Sequence, residues 1–234
     1  MVAPYFFESN FEITAQHFLL SEESSKHAIQ VLRMKPGDEI FITNGRGIKA
    51  LAFIRVAHKK HCSVEIFSHE IQEQIEPAIT LAMSLLKNTS RFEWFLEKAT
   101  ELGINSIIPL VTKRTERQHV RMDRLKGIVT AAMLQSQQTW LPELQEPISY
   151  EKLISSSIPA TEKYIAHCME GEKAPIASIV AKEKLILLIG PEGDFTADEL
   201  SLAITNGYKP VNLGTTRLRT ETAGMAAASV LRLR

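Results

Sequence analysis

Two short stretches place chemistry-bearing residues at informative spacing. Gly190-Pro191-Glu192-Gly193 and Leu213-Gly214 each follow an apolar run and each open onto a helix-like segment. Glycine has no Cβ, so a ligand can approach main-chain N–H and C=O groups at such a turn, and Pro191 stiffens the first loop. On neighbouring strands the two turns would share one pocket of main-chain donors and acceptors, with Ile189, Leu213 and Leu218 as apolar walls. That setting suits a flat heteroaromatic ligand read along its edge. The same glycines would equally serve only to permit tight strand-to-helix turns. A phosphate cradle is disfavoured: no GxxxxGK[ST] occurs, and no GxGxxG follows an expected strand. Glu192 and Asp194 put negative charge in the loop, which favours a cofactor carrying net positive charge.

The elements that must position these turns follow from periodicity. Up to about residue 70 the chain reads as β-rich, with HAIQVLRM as a short amphipathic helix and Asn44-Gly45 as a hairpin cue between EIFIT and the next apolar run. Several short strands and one helix predict a small barrel-like module. Composition turns polar near Glu73 to Pro77, giving expected domains of 1–72 and 73–234. Beyond that boundary, apolar runs (AITLAMSLL, SIIPLV, KYIAHCM, KLILLIG, PVNLG) alternate with helical segments (RFEWFLEKATELG, DRLKGIVTAAMLQSQQ, TADELSLAITNG, TAGMAAASVLRLR). Thr196 is placed to cap one helix, and Asn206-Gly207 to stop it. The alternation predicts an α/β fold with a mostly parallel sheet, whose ligands sit at the carboxyl ends of strands.

Composition sets outer limits. The 234 residues are 44% hydrophobic, and Lys+Arg 27 balance Asp+Glu 27. A neutral chain is not a uniformly basic nucleic-acid binder, although a local basic patch is still allowed. In TKRTERQHVRMDRLK, Lys113, Arg114, Arg117, Arg121, Arg124 and Lys126 crowd together, a pattern read first as a solvated helix face. Cys62 and Cys168 lack ligand spacing, so neither a disulfide framework nor a structural metal is expected. No apolar stretch approaches a membrane span and the N-terminus lacks a secretory layout, so the expected location is cytoplasmic.

Taken in order, IGPEGDFTADEL and LGTTRLRTETA resemble the C-terminal signature of the RsmE family of SPOUT-class methyltransferases. FLEKATELGINSIIPLVTKR and HAIQVLRMKPGDEI extend the likeness over nearly the whole chain. The resemblance implies a PUA-like RNA-binding β-barrel followed by a parallel sheet with a deep trefoil knot. It also implies a homodimer that uses S-adenosyl-L-methionine to methylate the N3 imide nitrogen of a uridine in 16S ribosomal RNA. AGMAAAS would suit close helix packing, either between subunits or within one. The implied cofactor residues are Met169, Ile189, Gly190, Pro191, Glu192, Gly193, Leu213, Gly214, Leu218 and Thr220. Arg219 would stabilise the imide anion through its donor fork, and Glu221 would accept the proton, orient Arg219 or simply favour a helix start. Arg33, Arg91 and Arg114 would contact RNA.

Departures from the family pattern are Asp194 in place of the second glycine of GPEGG, LQSQQTW in place of an acid-Gln-small-Gly-Arg string, KNTSR before the first helix of the second domain, and Tyr5 near the N-terminus. Alternative readings are methylation of another RNA nucleotide, a noncatalytic RNA-binding or ribosome-assembly protein, and a small-molecule enzyme on a doubly wound sheet.

Overall fold

The computed structural model describes residues 3–156, 162–180 and 183–233. These fall into two compact units: 1–74 with 133–141, and 75–132 with 142–234. Segment 133–141, which contains all of LQSQQTW, thus belongs with the first unit although it lies beyond residue 73.

The first unit is built on β1 (Tyr5–Phe7), β2 (His17–Leu19), β3 (Glu39–Thr43), β4 (Ile48–Val56) and β5 (Ser63–Ile71), ordered β1-β3-β4-β5-β2. All pairs are antiparallel except β1 with β3. Alternation along β3 and β4 turns Ile40, Ile42, Ala50, Ala52 and Ile54 onto one core with Phe6 and Phe11. The Asn44-Gly45 turn is longer than a two-residue hairpin, since Thr43 pairs with Lys49. Gly45 and Gly47 both take positive φ. At Gly47 an added Cβ would lie 2.8 Å from the Trp140 ring, and Trp140 Nε1 donates to the Gln72 carbonyl at 2.9 Å. The helix expected to start at His27 instead begins earlier, as α1 (Glu22–Lys26), because Ser21 accepts from Ser24 N–H and caps it. A π-turn over His27–Val31 follows, and Arg33 at φ 54 leaves the helix.

The second unit carries β6 (Ala78–Ser84), α2 (Thr89–Glu101), β7 (Ser106–Val111), α3 (Met122–Gln135), β8 (Glu143–Leu144), β9 (Ile148–Ser149), α4 (Tyr150–Ser155), β10 (Glu162–Ala166), β11 (Ala174–Pro175), β12 (Lys184–Ile189), α5 (Ala197–Thr205), β13 (Lys209–Asn212) and α6 (Thr220–Arg232). Its sheet runs β11-β13-β10-β12-β6-β7-β8, with β9 also on β7, and every described pair is parallel. β6, β7 and β12 are nearly continuous apolar runs because both faces of a parallel sheet are covered. α5 starts in a capping box between Thr196 and Glu199 and stops at Asn206. α6 lies against α2 at Gly224, where a Cβ would come within 2.6 Å of the Phe95 ring. Gly224, within AGMAAAS, therefore serves packing within the chain.

Candidate active site

β12 and β13 are not adjacent, as the sequence reading had them: β10 lies between them, paired in register with both. The carboxyl ends of these three strands and the first turn of α6 surround a cavity of about 680 Å³, within the range of small-molecule sites. Ile189, Gly190, Pro191 and Glu192 line it from the β12 end. Leu213, Gly214, Leu218, Arg219 and Thr220 line it from the β13 side. Both glycine turns thus face one space. Met169, Gly193 and Glu221 are not among its lining residues, nor are Arg33, Arg91 and Arg114.

The glycines have different physical reasons. At Gly214 φ is 124 and open space surrounds the position, so backbone conformation requires glycine there. A Cβ on Gly190 would meet the Phe195 ring at 3.1 Å, and one on Gly193 would meet Arg114 Cδ at 3.2 Å. At these two positions the protein's own side chains also crowd the space that a Cβ would take.

Arg114, an exposed side chain expected to contact RNA, also lies along this loop. Its Nη1 donates to the Gly193 carbonyl at 2.5 Å and to the Phe195 carbonyl at 3.3 Å. Asp194 holds the other side of that loop. At φ 63 it accepts from Cys168 N–H through Oδ2 and from Phe195 N–H through Oδ1, both at 2.8 Å. The following helix is capped by Thr196, so Asp194 acts as a latch between the β10 and β12 ends and not as a helix cap.

β10 brings two residues that sequence reasoning missed, His167 and Cys168. A polar pair directly after the apolar run KYIA was the available signal. His167 is 9% exposed and neither ring nitrogen has a partner. Burial, reinforced by the Lys173 ammonium, keeps its pKa below the ordinary imidazole range, which favours the neutral ring. Lys173 Nζ donates to the Met169 carbonyl at 2.6 Å and the His167 carbonyl at 3.3 Å, folding the β10 loop back over itself.

Glu221 turns to α2. Its Oε1 lies 3.5 Å from Arg91 Nε, and its Oε2 is buried without a partner. The pair joins the first turn of α6 to the first turn of α2, one residue beyond Thr220 of the cavity wall. Among the described residues no helix is long and apolar enough to cross a membrane, and no cluster of metal-binding side chains is present.

The RNA methyltransferase domain family matches residues 73–232, and the RNA methyltransferase PUA domain family matches residues 20–67. A ribosomal RNA small subunit methyltransferase E from Synechocystis is 32% identical over 86% of this chain and 68% of its own. The chain belongs to the ribosomal RNA small subunit methyltransferase E family. The family's member from Rickettsia conorii is 29% identical over 92% of this chain and 88% of its own. The Neisseria gonorrhoeae enzyme of the family, solved bound to S-adenosyl methionine, superposes with a TM-score of 0.90 at 27% identity, covering 99% of this chain and 98% of that one. A putative methyltransferase from Legionella pneumophila, in complex with the same cofactor, gives a TM-score of 0.89 at 29% identity over 100% of this chain and 98% of that one.

Proposed function

We propose that this protein transfers a methyl group from S-adenosylmethionine to the N3 imide nitrogen of a uridine in 16S ribosomal RNA, working in the cytoplasm as a homodimer on the assembled or assembling small subunit. The observation that carries this reading is the single cavity walled by both signature turns, with Arg219 on its rim.

The residues present fit the cofactor. Ile189, Leu213 and Leu218 offer an apolar slot for a flat adenine, and the β12 and β13 turns offer polar partners for its edge and ribose. Glu192 supplies negative charge suited to a sulfonium. When bound, the cofactor supplies an electrophilic methyl group.

The chain's own task is alignment and charge management. A uracil imide holds its proton firmly at neutral pH, and its lone pair becomes available only as the proton leaves. The Arg219 guanidinium, at the start of α6 on the cavity wall, stabilises the negative charge that spreads over the flanking carbonyl oxygens. With Glu221 paired to Arg91, it holds the α6 start in place and thereby positions Arg219. Glu221→Gln separates the roles: a positioning residue leaves the pH profile of kcat in place, whereas a proton acceptor takes its acid limb with it.

The reading is tested by calorimetry with S-adenosylmethionine, together with nucleoside analysis of 16S RNA from a deletion strain. Micromolar binding and restored 3-methyluridine are expected. Absence of cofactor binding at about 1 mM would instead favour a noncatalytic RNA-binding protein.

A further inference from the structure

The six cations of TKRTERQHVRMDRLK are exposed, as the composition predicts, but they do not share one role. Lys113 pairs with Asp198, and Arg114 holds the Gly193 loop. Arg117, Arg121 and Arg124 converge instead on a second cavity of about 250 Å³. Its remaining polar lining is Thr89 and Ser90 in the first turn of α2, and Glu93 one turn on. Arg121 precedes the first turn of α3 and its carbonyl accepts from Leu125 N–H, so two helix starts open here.

The charges in this cavity do not balance. Glu93 is its one acid, and Arg124 already satisfies it through two bonds of 2.5 and 2.8 Å. That contact holds the Glu93 carboxyl below the usual carboxylate range, so it stays ionised. Arg117 gives its Nε to the His119 carbonyl at 3.4 Å, leaving its terminal amino groups available. Neither Arg117 nor Arg121 has an ion pair among the described residues. Two uncompensated guanidiniums, two hydroxyls and two helix starts around one small recess describe a host for a compact, strongly hydrogen-bonding anion.

We infer that this cavity is a backbone-phosphate subsite for the RNA substrate, built by Arg117, Arg121 and the first turn of α2. Its volume of about 250 Å³ has room for a phosphate with its sugar. The same α2 turn carries Arg91, whose partner Glu221 fixes the start of α6 beside Arg219. An RNA strand anchored here is held by the helix that also sets the position of the methyl-transfer arginine. Such a contact positions a substrate without reading its sequence. The inference rests on the proposed RNA substrate.

The test uses the full chain and small ribosomal subunits from a strain lacking the enzyme, with binding measured across a salt series. For Arg117→Ala/Arg121→Ala we expect affinity to fall about tenfold at about 0.1 M salt, and the slope of log K on log salt to shrink by about 1 to 2. S-adenosylmethionine affinity should hold. The paired lysine variant should keep most of the slope. Glu93→Gln removes the competing acid and should tighten RNA binding about twofold to threefold, a change of sign that loss of folding cannot produce. Unchanged affinity and slope in the alanine variant overturn the subsite. Loss of inorganic-phosphate binding alone, with RNA binding intact, also overturns it, since the cavity would then serve a free anion. Absence of methyl transfer by the wild-type protein would instead count against the proposed function.

Discussion

The two cavities of the second unit are built in opposite ways. The larger one stands at the ends of three parallel strands and is defined by main chain: turns fixed by Gly190 and Gly214, and a loop latched by Asp194. The smaller one is defined by long cationic side chains around the starts of two helices. A main-chain site is rigid and intolerant of added atoms, which suits holding a cofactor to a fraction of an ångström. A site of arginine side chains is adjustable and salt-sensitive, which suits gripping a polymer backbone. Substitutions should therefore act through geometry in one and through charge in the other.

The largest expected effect is on chemistry. Arg219→Ala should lower kcat by about 10² to 10³-fold while cofactor affinity changes little, since the lost interaction belongs to the transition state. Single-turnover methylation at saturating cofactor checks this, and Arg219→Lys should recover part of the rate. Next is geometry at the strand ends: Gly214→Val forces a β-branched residue into φ 124 and should weaken S-adenosylmethionine binding at least tenfold by calorimetry.

The latch comes third. Asp194→Ala loses two charge-assisted bonds and leaves an alanine at φ 63, and should cost about 2 kcal/mol in denaturant unfolding. Asp194→Gly relieves the backbone strain and should cost less. Equal losses would mean that the two bonds, and not the φ, account for the whole effect.

The smallest effect is a pH dependence from His167. Its folded-state pKa lies below the unfolded value, so the unfolded chain takes up the proton first as pH falls. The contribution to stability is full above the ordinary imidazole pKa and is lost as pH drops through the folded-state value. Melting temperature should fall as pH drops below about 6.5, the ordinary imidazole value, and His167→Gln should flatten that fall.

What could be read in the sequence were the features fixed by local chemistry. The α5 boundaries follow from Thr196, Glu199 and Asn206-Gly207, each acting within one turn of the helix. The apolar runs of β6, β7 and β12 announce burial on both faces. Strand order did not follow, because a parallel strand chooses its neighbour through crossovers many residues long, and nothing in KYIA or PVN says that they lie side by side. For the same reason nothing local marks His167 and Cys168 as cavity residues, and nothing local pairs Arg114 with Gly193, which is distant in sequence. Residues 133–141 show the limit most plainly: Trp140 sits against Gly47, a partner that no local pattern names.

The central claim is that the strand-end cavity holds the methyl donor while Arg219 stabilises the uridine imide anion. Its most direct test is transfer from methyl-labelled S-adenosylmethionine to unmodified small subunits, with the labelled nucleoside identified by mass spectrometry. The account predicts label in 3-methyluridine with the wild-type protein, and almost none with an Arg219→Ala protein that still binds the cofactor. Label in a different nucleoside, or an undiminished rate in the variant, would contradict it.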